Sequence, residues 1–220
     1  MQRYVARLLM SLGLLFLSVA AHAGSYDDFF IAIGRDNATV VQELLARGFD
    51  PNTINPQGVP GLLIAIRTPA PKVVSTLLGH PDINVEQRNP KDESALMLAA
   101  LDGDVELCTT LLKMDADVNK PGWAPLHYAA TNSRLDVMRL LLENFAYIDA
   151  ASPNGTTPLM MAAMYGNSSA VKLLLEAGAD PTLKNQLGLT AIDFAQQVKR
   201  TESAEIIAAF VRARRPKGSW

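Results

Sequence analysis

Apolar residues recur along this chain in paired short clusters. The first cluster of each pair reads PGLLIAI from Pro60, SALMLAA from Ser94, APLHYAA from Ala124, TPLMMAA from Thr157 and TAIDFAQ from Thr190. Their third positions, Leu62, Leu96, Leu126, Leu159 and Ile192, stand 34, 30, 33 and 33 residues apart. A second cluster recurs in step with the first: ELLARGFDPN from Glu43, TLLGHPDINV from Thr76, TLLKMDADVN from Thr110, LLLENFAYID from Leu140 and LLLEAGADPT from Leu173. The clearest period, from Thr156, predicts two helices and an extended finger. Thr157 caps the first helix, and Pro158 fits its first turn, where no N–H partner is needed. Ala162 and Ala163 leave room for a neighbouring helix, and Gly166 is expected to end this one in a tight turn. Val171, Leu174 and Leu175 fall on one face of the second helix. Gly178 stops it in the left-handed conformation, and Ala179 to Leu189 form the finger, with Gly188 at its tip. One such unit cannot cover its own apolar face, so stacked neighbours must do it.

Two motifs recurring together at this period resemble the ankyrin repeat, whose period is 33 and whose signature is T-P-L-H-x-A. The resemblance implies an all-α ankyrin repeat solenoid of helix-turn-helix units with β-turn fingers. About six repeats, divergent caps included, fall within residues 24–211, near 26–55, 56–88, 89–119, 120–151, 152–184 and 185–211. In the last, Gln196, Gln197, Lys199, Arg200, Glu202 and Glu205 supply a polar outer side, which terminal repeats need for solubility. Some positions depart from the pattern. Pro60-Gly61 replaces Thr-Pro, and Pro69 and Pro71 push the second helix of that repeat to begin at or after Pro71. Asp92 replaces a finger glycine and tolerates the left-handed region better than most residues. The 30-residue spacing removes three residues from the finger between Asn119 and Trp123, which leaves Trp123 in a notch.

The N-terminus follows a different rule. Arg3 and Arg7 precede an apolar run from Leu8 to Ala20, and Ala21-His22-Ala23 matches a small-x-small cleavage pattern. Residues 1–23 are therefore expected to be a secretory signal peptide cleaved after Ala23, leaving no stable membrane insertion. The run is too short for a comfortable membrane span, which takes about 20 residues. The formal net charge of the whole chain is −2. Removing Arg3 and Arg7 leaves 18 basic against 22 acidic residues, a net −4. Four of those basic residues, Arg212, Arg214, Arg215 and Lys217, lie in a basic tail at 212–220, expected to be disordered, so the body before it carries −8. Such a balance gives no electrostatic footprint for nucleic acid.

Catalytic motifs are missing: there is no G-x-S-x-G, H-E-x-x-H or P-loop. No enzyme activity, cofactor or metal site is expected. His80 and His127 have no partner at metal-ligand spacing. The single cysteine, Cys108, falls on the buried side of a second helix and reads as a small core hydrophobe. Asp104 reads as a helix cap.

What remains is a surface. The family resemblance implies partner binding through finger tips and the exposed face of the first helices, and it gives His127 the role of holding neighbouring fingers. Mapped repeat by repeat, the candidate partner-binding residues are Arg67, Leu101, Trp123, Met164 and Tyr165. Trp123 either anchors a partner or packs over the shortened finger. The expected function is a monomeric, non-enzymatic protein-interaction module of the bacterial periplasm. It would shield, scaffold or inhibit an unidentified exported protein, and the resemblance extends to a peroxidase-type enzyme or a toxin as that partner. The alternative is a secreted effector acting on a host protein.

Overall fold

A computed structural model describes residues 24–214. The stretch read as a signal peptide and the end of the basic tail lie outside the described residues. The chain divides between Pro90 and Lys91 into two compact units. Both are helical. Among the described residues the only β pairing is an isolated antiparallel bridge between Ile54 and Pro60. No helix among them is long and apolar enough to cross a membrane.

The first unit holds α1 (24–34), α2 (Ala38–Ala46), α3 (Gly61–Arg67) and α4 (Pro71–Leu78). Phe29, Ile33, Val41, Leu44, Leu63, Val73 and Leu77 form its core, each at most 1% exposed. Asn37 caps α2 by accepting the Val40 N–H at 3.3 Å. Pro71 does start α4, as its fixed φ favours. The preceding Ala70 has no capping side chain, and Asp36 supplies one from the α1–α2 turn: its carboxylate accepts the Val73 N–H at 3.0 Å. The Pro60-Gly61 departure has a steric cause. A Cβ at position 61 would lie 2.6 Å from Cε1 of Phe29, so only glycine lets that ring pack against α3.

The second unit alternates an inner and an outer row. Its inner helices are α5 (Ala95–Asp102), α7 (Pro125–Thr131), α9 (Pro158–Met164) and α11 (Ala191–Gln197). Its outer helices are α6 (Val105–Lys113), α8 (Leu135–Glu143), α10 (Ser168–Glu176) and α12 (Thr201–Arg214). Each row packs neighbour on neighbour, α5 on α7 on α9 on α11 and α6 on α8 on α10 on α12. Inner helices approach closely because Ala99, Ala129, Ala162 and Ala163 fill the contact with single methyl groups and are wholly buried. Two caps follow the sequence, Thr157 accepting the Met160 N–H and Asp104 the Leu107 N–H, and Asn167 adds a third by accepting the Ala170 N–H. Gly178 stops α10 at φ +110°, and Asp92 occupies a finger turn at φ +62°.

Three expectations are revised. Gly166 does not turn through the left-handed region. Its requirement is space, since a Cβ there would sit 2.7 Å from the Ala130 carbonyl oxygen and 2.9 Å from that of Ala162. The helix before it is closed instead by Arg200, whose guanidinium donates to the Met164 and Tyr165 carbonyls at 3.1 and 3.0 Å. Arg200 is therefore committed to the preceding repeat rather than standing on a polar outer side. Arg134 and Asn132 do the same for α5, both donating to the Leu101 carbonyl at 3.0 Å. At the other end, α12 carries Arg212 and Arg214 in its last turn, three residues into the stretch read as a tail. Arg214 donates to the Ala179 carbonyl at 3.1 Å, which ties that turn to the preceding repeat.

Cys108 is wholly buried on α6, and burial pushes its thiol up to about 12. A thiol so protonated is a core filler.

Candidate partner-binding face

The inner helices place the same motif letter on one acceptor column. In the fourth position stand Met97, His127, Met160 and Asp193. Each turns back to take the N–H of the residue that opens its helix. Ser94 donates to the Met97 sulfur and Thr157 to the Met160 sulfur, both at 3.4 Å; Ala124 donates to His127 Nδ1 at 3.1 Å and Thr190 to the Asp193 carboxylate at 2.7 Å. The hydrogen bonds from the Thr190 hydroxyl and N–H hold the Asp193 carboxyl below the usual range.

Only His127 has a second polar atom for the next finger. With Nδ1 accepting, its Nε2 carries the proton and donates to the Thr156 carbonyl at 3.0 Å. That carbonyl also accepts the Ser152 N–H at 3.0 Å, within its own finger. Burial lowers the His127 pKa, against the pull of these backbone bonds. The folded protein thus holds His127 neutral, while the unfolded chain protonates it near its ordinary value of 6.5. The unfolded state then binds more protons, so this contribution to stability is lost as pH falls. His127→Met keeps the N–H acceptor and removes both the finger bond and the titration. It is expected to cost about 1 kcal/mol at pH 7. The gap to wild type should narrow as pH drops from 6.5 to 5, because only wild type loses this neutral group. Urea midpoints of both proteins across that range test it, and a gap constant with pH would count against the assignment.

The shortened finger is built around a buried cation. Lys120 stands where other fingers carry Asn55 or Asn185, whose side-chain oxygens accept N–H groups of their own fingers. Lys120 reaches instead to the carboxylate of Asp92 in the preceding finger, and to the Pro121 carbonyl at 3.0 Å. Its side chain is 2% exposed, whereas that of Asp92 is 63% exposed. Gly122 then turns at φ +84° and delivers Trp123 to the helix start.

Trp123 is packed on one side and open on the other. Its ring packs edge-on against His127, centroids 5.2 Å apart, yet it stays half-buried. Trp123, Leu101, His127, Tyr128, Thr131 and Met161 line an apolar depression of about 230 Å³ across α5, α7 and α9. Tyr128 holds one side, its hydroxyl donating to Glu93 at 3.1 Å.

Of the residues read from the sequence, Leu101 and Trp123 share this depression. Met164 and Tyr165 do not line it. They end the seven-residue α9, where Met164 is half-buried and Tyr165 is 53% exposed. Met161, one turn earlier on the same helix, does line it. Arg67 lies at the exposed C-terminal end of α3, in the first unit. Tyr128 and Met161, which the repeat register does not single out, both hold the fifth position of the motif. Among the described residues, no cluster of three or more His, Cys, Asp or Glu could hold a metal ion.

Comparison with known proteins agrees with this geometry. A family model for ankyrin repeats in three copies matches residues 29–121, 62–152, 96–185 and 146–213. The tyrosine-protein kinase Shark of Drosophila melanogaster is 33% identical over 168 residues, 74% of this chain and 18% of the kinase. The nuclear factor NF-kappa-B p105 subunit of Gallus gallus is 30% identical over 162 residues, 70% of this chain and 16% of the subunit. The chain thus spans less than a fifth of these two relatives. Among solved structures, the ankyrin repeat protein EF0377 superposes with a TM-score of 0.72 at 29% identity, covering 82% of this chain and 96% of that one. A chain from a complex between a predatory endopeptidase of Bdellovibrio bacteriovorus and an immunity protein gives 0.71 at 26%, covering 83% and 97%.

Proposed function

The chain belongs to the ankyrin repeat family, and on that premise we propose that it is a non-enzymatic, monomeric protein-binding module of the bacterial periplasm. In this reading it shields, scaffolds or inhibits an exported protein. Ankyrin repeats are protein-interaction modules, and these form an all-helical solenoid fold. The observation that carries the reading is the depression under Trp123. It is preformed, apolar, large enough for one bulky side chain, and bordered by half-buried Trp123, Tyr128 and Met161. Aromatic anchors in such pockets dominate binding energies, and a preformed face loses little ordering entropy. The acidic body favours a partner with a basic surface. The export pattern of residues 1–23 supports the compartment, and the structurally similar chain from an endopeptidase–immunity protein complex supports an inhibitory role toward an exported enzyme or toxin.

The test is affinity capture from periplasmic extract with wild type and a Leu101→Glu/Met161→Glu variant. Two carboxylates in the depression should lower recovery of the main partner at least tenfold and leave the thermal midpoint within a few degrees. Equal recovery of that partner by a folded variant would remove the depression from the reading. Fractionation tests the compartment: mature protein beginning at Gly24 in the periplasm is expected, whereas protein in the medium or in a host cell favours the effector alternative.

A further inference from the structure

The turn after α8 breaks the repeat pattern in a direction that costs stability. In the register of Asp115 and Gly178 stands Phe145, and in the register of Asp117 and Asp180 stands Tyr147. Phe145 keeps the left-handed backbone of that register, φ +64°, beside +60° for Asp115 and +110° for Gly178. A bulky side chain is strained there, and glycine or aspartate is the usual solution. No compensating burial offsets the strain. Phe145 is 84% exposed and Tyr147 67% exposed. Their backbone is nevertheless held firmly. The Asn119 side chain donates to the Phe145 carbonyl at 2.8 Å and accepts the Tyr147 N–H at 2.7 Å. Two aromatic rings are thus presented to solvent on a fixed turn, and neither lines the depression at Trp123.

The turns on both sides carry more carboxylates than cations, Lys113 standing two residues before Asp115. The turn before carries Asp115 and Asp117, the latter accepting the Asn119 N–H at 2.9 Å. The turn after carries Asp180, whose N–H is held by the Asp149 carboxylate at 3.1 Å. Arg214 lies on that second side, bonded to the Ala179 carbonyl, and offsets part of its charge. Exposed aromatic faces between carboxylates suit a cation, because ring quadrupole and negative charge attract it together.

We infer that Phe145 and Tyr147 form a second interaction surface, which docks a basic protein segment by stacking its arginine or lysine side chains between the flanking aspartates. The probe is a hexa-arginine peptide, titrated into wild type and into Phe145→Gly/Tyr147→Ala, with hexaglutamate as control. Both proteins keep the same acidic body, so their difference isolates the aromatic pair. Wild type should bind hexa-arginine at least fivefold more tightly and ignore hexaglutamate, with ring-proton shifts at Phe145 and Tyr147. The single variant Phe145→Gly should melt at or above the wild-type temperature, since it relieves the backbone. Equal affinity in the two proteins overturns the inference. So does a marked fall in melting temperature on Phe145→Gly, which would make the ring a structural element. Wild-type dimers that the substitution dissociates would also overturn it, by assigning the surface to a second copy of the chain.

Discussion

Gly166→Ala is expected to destabilise the second unit by about 3 kcal/mol, at the upper end of overpacking costs. The added Cβ would lie 2.7 Å from the Ala130 carbonyl oxygen, 2.9 Å from that of Ala162 and 2.9 Å from the Ser133 hydroxyl. Two of these are backbone atoms of inner helices, and neither can rotate away. Relief of the first requires α7 and α9 to separate, and relief of the second requires the last turn of α9 to unwind. The Ser133 hydroxyl would also be displaced from the Asn167 N–H it accepts at 2.7 Å. Gly178→Ala is the informative contrast. A Cβ there meets nothing within 4 Å, and only its φ of +110° is unfavourable. That backbone penalty is about 1–2 kcal/mol. Thermal and urea midpoints followed by circular dichroism should rank Gly166→Ala clearly below Gly178→Ala, and the reverse ranking would refute the crowding argument.

The second large effect is at the shortened finger. Asp92→Asn retains a residue that tolerates φ +62° and removes only the charge. It leaves the buried Lys120 ammonium with a neutral amide oxygen in place of the carboxylate, and with the Pro121 carbonyl. Breaking one side of a buried pair costs about 3–5 kcal/mol, and the exposure of Asp92 reduces this to about 2 kcal/mol. Lys120→Met removes the cation, and the exposed Asp92 carboxylate stays hydrated, so this change should be close to neutral. The double substitution should therefore recover most of the loss of Asp92→Asn alone. Chemical denaturation of the four proteins completes the cycle. Additive losses would mean that the two residues do not act as a pair.

Much of this architecture is legible in the sequence. Thr157 and Asp104 signal helix starts because their oxygens have one geometric use beside a helix. Pro71 dates the start of α4, and Gly178 and Asp92 mark left-handed turns. Gly166 shows where such reasoning fails. A glycine at a helix end carries the same letter whether it is needed for its φ or for its missing Cβ, and only the neighbouring repeat decides between them. Arg134 and Arg200 were illegible for a related reason. A long polar side chain reads as solvated until the carbonyls of the previous repeat are placed beside it. At the depression under Trp123, two of the six lining residues, Leu101 and Trp123, are among those the repeat register names. Met161 and Tyr128 also line it, from the middle of their helices rather than from the ends. The inner helices are only seven or eight residues long, so Met164 and Tyr165 fall at the close of α9 while the middle of the motif faces the depression.

The hydrogen bonds that reach from one repeat to another have a kinetic consequence. Those from Asn119, Lys120, His127, Arg134, Arg200 and Arg214 each join residues 26 to 36 positions apart. Each closes a loop of nearly the same size, so each meets nearly the same chain-entropy cost, which grows only slowly with length. None of them waits for distant ends of the polypeptide to find one another. A repeat can lock onto its predecessor as soon as the next thirty or so residues are available, and the second unit can assemble progressively from a single nucleus.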